Sequence, residues 1–188
     1  MKLIECVPNF SEGVDESIIK EITHEISSVN NVTLLDVDPG KDTNRTVVTF
    51  IGTPDKVISA AFLAIKKAAI LIDMTKHKGE HPRMGATDVC PLIPITGVSM
   101  DECVKYSHQL AKKVADELNI SVFLYEESAS NTKRKNLSNI RKGEYEGMQE
   151  KLHTKEWIPD YGPNILNEKS GVTAIGARNF LIAYNINL

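Results

Sequence analysis

Several features that mark specialised classes of protein are scarce in this chain of 188 residues. No apolar run approaches the roughly 18 residues that a membrane-spanning helix needs, so we expect no membrane segment. The three cysteines, Cys6, Cys90 and Cys103, are an odd number without a C-x-x-C pair, which fits a reduced interior and no disulfide framework. The opening MKLIECVPNFSEG is too short and too polar a stretch for a signal peptide, so we expect a cytoplasmic protein.

An excess of positive charge is also absent. Lys and Arg number 22 and Asp and Glu number 25, which gives a net charge of −3. This balance argues against a protein whose main task is to neutralise nucleic-acid phosphates, so any anion site must be local. With 41% hydrophobic and 25% charged residues, the composition is that of an ordinary globular chain, and its length predicts one domain or one domain with a small extension.

Hydrophobic periodicity predicts alternating strands and helices. The predicted strands are residues 3–7, 32–37, 45–51, 91–95 and 121–125, with 172–188 forming two strands or one bent strand. Two prolines make 91–95 an edge or irregular strand. The predicted helices follow the capping residues Asp15, Thr53 and Ser99. Residues 9–13 and 160–171 are predicted loops, and 131–157 is polar, with at most one or two short helices.

The order of the first six elements is βαββαβ, which is typical of the split βαβ, or ferredoxin-like, unit. We therefore predict an α+β fold with a mixed sheet, helices packed on it, and an extension by a further helix and further strands. Some sheets of this class bind RNA, but the aromatic pattern that they use is missing here, so we expect no nucleic-acid partner.

The loop HKGEHPRMGATD, residues 77–88, concentrates chemically active side chains. Its two histidines permit three interpretations. They could bind a metal, although Lys78 stands where the zincin motif has Glu and Pro82 pushes His81 towards an extended conformation. They could simply hydrogen-bond the backbone of a polar loop. One of them could serve in acid–base catalysis while Arg83 holds an anionic substrate. Sequence spacing does not separate the last two.

Five segments together carry a resemblance to a known family: CVPNFSEG (6–13), LDVD (35–38), TNRTV (43–47), HKGEHPRMGATDVCP (77–91) and IGARNFLIAYNINL (175–188). They resemble the formiminotransferase family, which comprises glutamate formimidoyltransferase and the first domain of the bifunctional formiminotransferase-cyclodeaminase. The similarity runs essentially from end to end of the chain. It implies transfer of a formimino group from N-formimino-L-glutamate to N5 of tetrahydrofolate in histidine breakdown, with tetrahydrofolate as co-substrate and no metal.

The resemblance also implies roles for particular residues. His81, in the E-H-P-R-M-G motif, would be the proton-transfer residue and His77 only its neighbour. A folate-contacting loop is implied, consisting of Gly162, Pro163, Asn164, Ile165, Leu166, Asn167, Glu168, Lys169, Ser170 and Gly171. Charge and motif position suggest that Asp38 orients the histidine or a cationic amidinium, and that Arg45 and Arg83 hold substrate carboxylates; surface salt bridges or turn bonds are the alternative. A cluster of basic residues forms either a solvated face or a surface that attracts the polyglutamate tail of a folate. These residues are Lys133, Arg134, Lys135, Arg141 and Lys142.

The resemblance further implies that residues 1–188 are the first subdomain of a transferase that continues into a second, similar subdomain, with folate bound between the two. Besides the small-molecule substrates, the expected partner is therefore that C-terminal subdomain, and the sequence leaves open whether the chain forms a homodimer. A competing hypothesis is a non-catalytic module that binds folate or an amino acid. Turnover, as opposed to binding alone, would separate the two hypotheses.

Overall fold

The computed structural model describes residues 1–181, which form strands, helices and one 3₁₀ turn. The strands are β1 (Leu3–Cys6), β2 (Asn9–Phe10), β3 (Val32–Gly40), β4 (Arg45–Gly52), β5 (Thr87–Thr96), β6 (Val122–Glu126) and β7 (Thr173–Ala177). The helices are α1 (Glu16–Ser27), α2 (Pro54–Leu71), α3 (Met100–Leu118), α4 (Thr132–Lys135), α5 (Leu137–Arg141) and α6 (Glu144–Leu152), with a 3₁₀ turn at Lys155–Trp157. Within residues 1–181, no helix has the length and apolarity needed to cross a membrane.

All seven strands belong to one mixed sheet. The short strands β1 and β2 both pair with β4 on one side and with β5 on the other, so they are two halves of one interrupted strand. The spatial order is β3, β4, β1/β2, β5, β7, β6, in which β7 pairs parallel to both β5 and β6 and the remaining pairs are antiparallel. The predicted α+β, ferredoxin-like arrangement is confirmed, with β6 and β7 as its extension.

Side-chain caps fix where the long helices begin. The Asp15 carboxylate accepts hydrogen bonds from the N–H groups of Ser17 and Ile18 at the start of α1. Ser99 and Glu102 form the predicted capping box at the start of α3. Thr53 behaves differently, because its hydroxyl donates to the Asp55 carboxylate and α2 starts with Pro54 instead of a side-chain cap.

The two faces of the sheet are covered unequally. Alternate strand residues such as Ile4, Phe50 and Leu92 pack with the apolar stripes of α1, α2 and α3 in the main core. The opposite face, called the second face below, has a smaller core over β6, β7 and Val89 of β5, where Phe123 packs with residues of α5 and α6. Over β1 and β4, residues of the second face such as Val47 are only half-buried. That part of the sheet is therefore accessible.

Two predictions for the first half of the chain are wrong. Residues 9–13, predicted as a loop, contain β2. Residues 91–95, predicted as an edge or irregular strand, belong to the central strand β5, so the edge alternative is wrong, while a register shift opposite Pro94 fits the irregular one. The prolines fit there because the ladder is interrupted beside them. Pro91 lies opposite the gap between β1 and β2, and β7 ends at Ala177, before it reaches Pro94. A proline without an N–H is tolerated where no ladder bond is required.

The polar segment 131–157 folds into three short helices and a 3₁₀ turn, more than the one or two helices predicted. The segment is stabilised by contacts of polar side chains, and these side chains do not recur at a regular spacing in the sequence. The side chains of Asn131 and Asn136 cap α4 and α5, while the buried Arg134 forms an ion pair with Asp160 at 2.8 Å. Residues 160–171 lack regular structure, as predicted. Of the two strands predicted in 172–188, β7 is present, and the second falls mostly on residues outside the described part.

The capping box of α3 gives a prediction about stability. Ser99→Ala removes the hydroxyl that accepts from the Glu102 N–H, so the free energy of unfolding should fall by about 1 kcal/mol. Ser27→Ala, at an exposed position within α1, is the matched control and should change stability by less than about 0.5 kcal/mol. Denaturant titration measures both values. Equal effects of the two substitutions would contradict this assignment of the cap.

Candidate active site: an arginine-lined cavity on the second face

A cavity of about 410 Å³ lies on the accessible part of the second face. Its floor is formed by Val7, β2, β4 and β5, and its walls by the end of β6, by α5 and by the chain after β7. The lining residues are Val7, Asn9, Arg45, Val47, Val89, Pro91, Tyr125, Glu126, Asn136, Leu137, Arg141, Arg178 and Leu181. The lining contains three arginines and only one acidic side chain, so the cavity is suited to an anionic ligand.

Arg45, the first residue of β4, extends over the floor of the cavity. Its Nη1 donates to Oδ1 of Asn9 at 2.6 Å, and its Nε is buried without a hydrogen-bond partner in the described residues. Burial and the nearby charge of Arg141 lower the pKa of Arg45, while Asp88 and Asp38 act in the opposite direction. An arginine remains charged at neutral pH despite such a shift, so Arg45 supplies a fixed positive charge with an unused donor.

Arg141, the last residue of α5, reaches the cavity from the opposite wall. Its Nε donates to Oδ2 of Asp88 at 2.9 Å, and its Nη2 donates to the same oxygen. Asp88 is only 1% exposed, and its Oδ1 accepts the N–H of Met84 at 2.9 Å. These donors satisfy the buried carboxylate, which in turn holds the guanidinium in one orientation.

His81 lies close enough to these groups to respond to their charges. Its ring is half-buried, and its Nδ1 is buried without a hydrogen-bond partner among residues 1–181. Burial, followed by the positive charges of Arg45 and Arg141, lowers the pKa of His81 below the usual 6.5, and Asp88 partly opposes this. The shift favours the neutral ring, in which one nitrogen is able to accept a proton.

His77 belongs to a separate network around Arg83. The Nε2 of His77 lies 3.0 Å from the carbonyl oxygen of Asn44, which can only accept, so Nε2 carries the proton. Nδ1 then accepts from Nε of Arg83 at 3.2 Å. Both ring nitrogens are engaged by protein groups. His77 and His81 thus have different surroundings, with His77 serving the structure of the loop.

Arg83, a predicted carboxylate ligand, is already paired with acidic residues. It is 7% exposed, and its two terminal nitrogens donate to the carboxylate of Glu146 at 2.6 and 2.9 Å and to that of Glu144 at 2.9 Å. It lines a different cavity, of about 450 Å³, together with Lys78, Gly79 and the start of α6. Binding of a substrate carboxylate by Arg83 would require exchange with Glu146, so this role stays a prediction.

Asp38 is placed close to the arginine cavity. It lies on β3 in register with Val47 of β4, and its charge acts on Arg45. Its side chain is exposed. Its predicted part in orienting a cationic substrate stays a prediction, with proximity in its favour.

The predicted folate loop, residues 162–171, packs at the other end of β6 and β7. Ser121 donates to the carbonyl of Pro163 at 2.6 Å, and Tyr145 donates to that of Glu168 at 2.6 Å. The loop meets the His81 loop where Gly171 faces Gly85. Gly171 has φ +69°, and a Cβ there would lie 2.2 Å from the Met84 carbonyl oxygen, so the contact requires glycine. None of these ten residues lines the arginine cavity, and their role stays a prediction.

Sequence reasoning missed Asp88, Arg141 and Arg178. Asp88 and Arg178 lie within the segments that carry the resemblance, but no role was assigned to either. Arg141 was grouped with a solvated basic cluster. In the structure only the folding of the polar insertion brings Arg141 to Asp88, 53 residues away in sequence. No local pattern predicts such a pair.

Comparison with known proteins agrees with the segments quoted from the sequence. The family model described as "Formiminotransferase domain, N-terminal subdomain" matches residues 3–178. The chain belongs to the formiminotransferase family. The match includes the His81 loop, the three arginines of the cavity and the whole loop before β7. The residues that match the formiminotransferase model therefore include every lining residue of the cavity except Leu181.

Formiminotransferase relatives from distant organisms align with the whole chain. The formimidoyltransferase-cyclodeaminase of Dictyostelium discoideum is 54% identical over 187 residues, which are 100% of this chain and 35% of that protein. The glutamate formimidoyltransferases of Streptococcus pyogenes serotype M1 and Thermoplasma acidophilum are 49% and 46% identical, and 62% of each is covered. The chain thus spans about a third of the bifunctional relatives and less than two thirds of the others.

The surroundings of His81 give a prediction for its titration. In an NMR pH titration, with the signal assigned by its loss in His81→Asn, the midpoint of His81 should lie below 6.5. Arg45→Gln removes one of the charges that disfavour the imidazolium, so it should raise this midpoint. Lys142→Gln, an exposed charge change nearby in sequence to Arg141, should leave it within about 0.2 units. A midpoint above 6.5 in the unaltered protein would contradict the electrostatic description.

Proposed function

We propose that this protein is the part of a glutamate formimidoyltransferase that transfers a formimino group from N-formimino-L-glutamate to N5 of tetrahydrofolate, a step of histidine degradation. The observation that carries the proposal is the half-buried His81, whose Nδ1 has no partner within the described part of the chain, beside a cavity bearing three arginines. Family membership supports the type of reaction, and two of the relatives are named glutamate formimidoyltransferase.

The reaction requires a group that can first accept and then donate a proton. N5 of tetrahydrofolate attacks the amidine carbon, and a new C–N bond forms as that carbon becomes tetrahedral. His81 accepts the proton that leaves N5 and delivers it to the glutamate nitrogen as the old C–N bond breaks. The imidazole ends in its starting protonation state, and glutamate departs as a neutral amine. A positioned acid–base group of this kind contributes about 10²–10⁴-fold to the rate.

The arginines account for recognition of the glutamate moiety. Formiminoglutamate carries two carboxylates, and arginine can bind a carboxylate through two parallel hydrogen bonds. In this proposal Arg45 and Arg141 bind these carboxylates, and Arg178 adds positive charge at the mouth of the cavity. Asp38 faces the cationic amidinium from β3. If Arg83 takes part, it does so after release from Glu146.

In this proposal, folate binds and the second subdomain packs on the accessible second face of the sheet. The loop of residues 162–171 would contribute to folate binding through its contact with the His81 loop at Gly85. Residues 1–188 would form the first of two subdomains, and the second would cover the half-buried second face, closing the cavity against water. The free thiols of Cys6 and Cys90, whose sulfurs lie 3.5 Å apart without a disulfide bond, fit a cytoplasmic location.

Replacement of the imidazole tests the acid–base assignment. His81→Asn should lower kcat for formimino transfer by at least about 10²-fold, because no other group at that position accepts the N5 proton. The side chain is half-buried and makes few bonds, so the fold should persist, as circular dichroism would verify. The assay follows consumption of formiminoglutamate in the presence of tetrahydrofolate.

His77→Asn is the matched control, since it removes the other histidine of the same loop. It should reduce kcat much less than His81→Asn does. A larger loss in His77→Asn would transfer the assignment to His77. Binding of both substrates by the unaltered protein without any turnover, even after addition of a separately produced second subdomain, would favour the non-catalytic binding module.

A further inference from the structure

A shift in register between β2 and β5 lies beneath the arginine cavity. Asn9 pairs with Val89 and Phe10 pairs with Thr87, so Asp88 is left out of the ladder. Such a bulge turns a side chain in a direction that a regular pleat does not allow, and bulges are common beside active sites. Asn9 and Asp88 therefore stand next to each other on neighbouring strands, with both polar groups directed at cavity residues.

Each of these two side chains holds one arginine. Oδ1 of Asn9 accepts from Nη1 of Arg45 at 2.6 Å, and Oδ2 of Asp88 accepts from Nε of Arg141 at 2.9 Å and from its Nη2. The side chains of Asn9 and Asp88 are each fixed by a hydrogen bond to the backbone. The Asn9 amide donates to the carbonyl of Val7 at 3.1 Å, and Asp88 accepts the Met84 N–H. Both side chains are also buried, so their orientations are set before any ligand binds.

Each arginine retains donors for a ligand. Asp88 occupies Nε and Nη2 of Arg141, and the two N–H groups on Nη1 have no acceptor among residues 1–181. In the same part of the chain, Arg45 is bound to Asn9 only through Nη1, and its buried Nε has no partner. A buried donor without a partner is costly, and a ligand acceptor would satisfy it. The two guanidinium groups can thus each meet one carboxylate.

We propose that Asn9 and Asp88 are positioning residues that fix the separation of Arg45 and Arg141, and that this separation makes the cavity select a ligand with two carboxylates over one with a single carboxylate. This inference rests on the proposed function and adds the basis of its specificity. L-glutamate and L-glutamine are suitable probes, because they differ only by replacement of the distal carboxylate with an amide. An amide presents N–H groups to an arginine that can only donate, which penalises glutamine.

Calorimetric titration of the purified protein with L-glutamate and with L-glutamine tests the proposal. The unaltered protein should bind glutamate more tightly. Asp88→Asn should lower the glutamate-to-glutamine affinity ratio about tenfold, because Arg141 is no longer aimed at the distal carboxylate, whereas Asn9→Ala should weaken both ligands through Arg45, which meets the carboxylate that they share. Arg141→Lys keeps the charge but lacks the planar fork, so it should also lower the ratio. Lys142→Gln is the matched control and should leave the ratio unchanged.

Equal weakening of both ligands in Asp88→Asn, or an unchanged ratio, would overturn the proposal, as would a lack of preference in the unaltered protein. If circular dichroism shows that Asp88→Asn does not fold, the partly exposed Arg141→Lys decides the question, and an unchanged ratio in that variant counts against the proposal. Selectivity without formimino transfer, even after addition of the separately produced second subdomain, would overturn the proposed function and leave this inference standing. Transfer with an unchanged ratio would overturn this inference alone.

Discussion

The buried carboxylate of Asp88 is the group on which the arrangement of the cavity depends. It accepts the N–H of Met84, which follows directly after Arg83 in the His81 loop, and it holds Arg141 on the opposite wall. One side chain thus connects the loop, the sheet and the polar insertion. Transfer of such a charge out of water is costly, and only several simultaneous donors make it tolerable, so the three parts of the chain are constrained to one relative arrangement.

The His81 loop is held at further points on both sides of the histidine. His77 donates to the carbonyl of Asn44 in the β3–β4 turn, and Arg83 bridges to Glu146 of α6. The carbonyl of Arg83 also accepts the N–H of Tyr145 at 2.8 Å. A loop without regular structure obtains its rigidity from such contacts, and rigidity matters because a catalytic group must be placed before the reaction begins. His77 and Arg83 accordingly contribute to the position of His81 even without touching a ligand.

Local patterns in the sequence were sufficient for the long elements and for the region of the site. Caps at Asp15 and Ser99 predicted where α1 and α3 begin, and the density of charged and turn-forming residues in 77–88 singled out the loop that carries His81. The central position of β5 could not be predicted from its prolines, because it depends on a gap in a neighbouring strand. The pairing of Arg141 with Asp88 was equally inaccessible, since it requires the fold of an insertion whose order comes from buried polar contacts rather than periodicity.

The charges around His81 connect ligand binding with proton transfer. Arg45 and Arg141 add to the effect of burial and lower the pKa of His81, which favours the unprotonated ring that a base requires. A bound dicarboxylate would offset these positive charges and thereby stabilise the imidazolium that forms during attack by the amine. The same two arginines would then bind the substrate, and their effect against the imidazolium form of His81 would be reduced only while the substrate is bound. The separation of the arginines, set by Asn9 and Asp88, would therefore influence both the selectivity for the ligand and the stage of the reaction at which His81 becomes protonated.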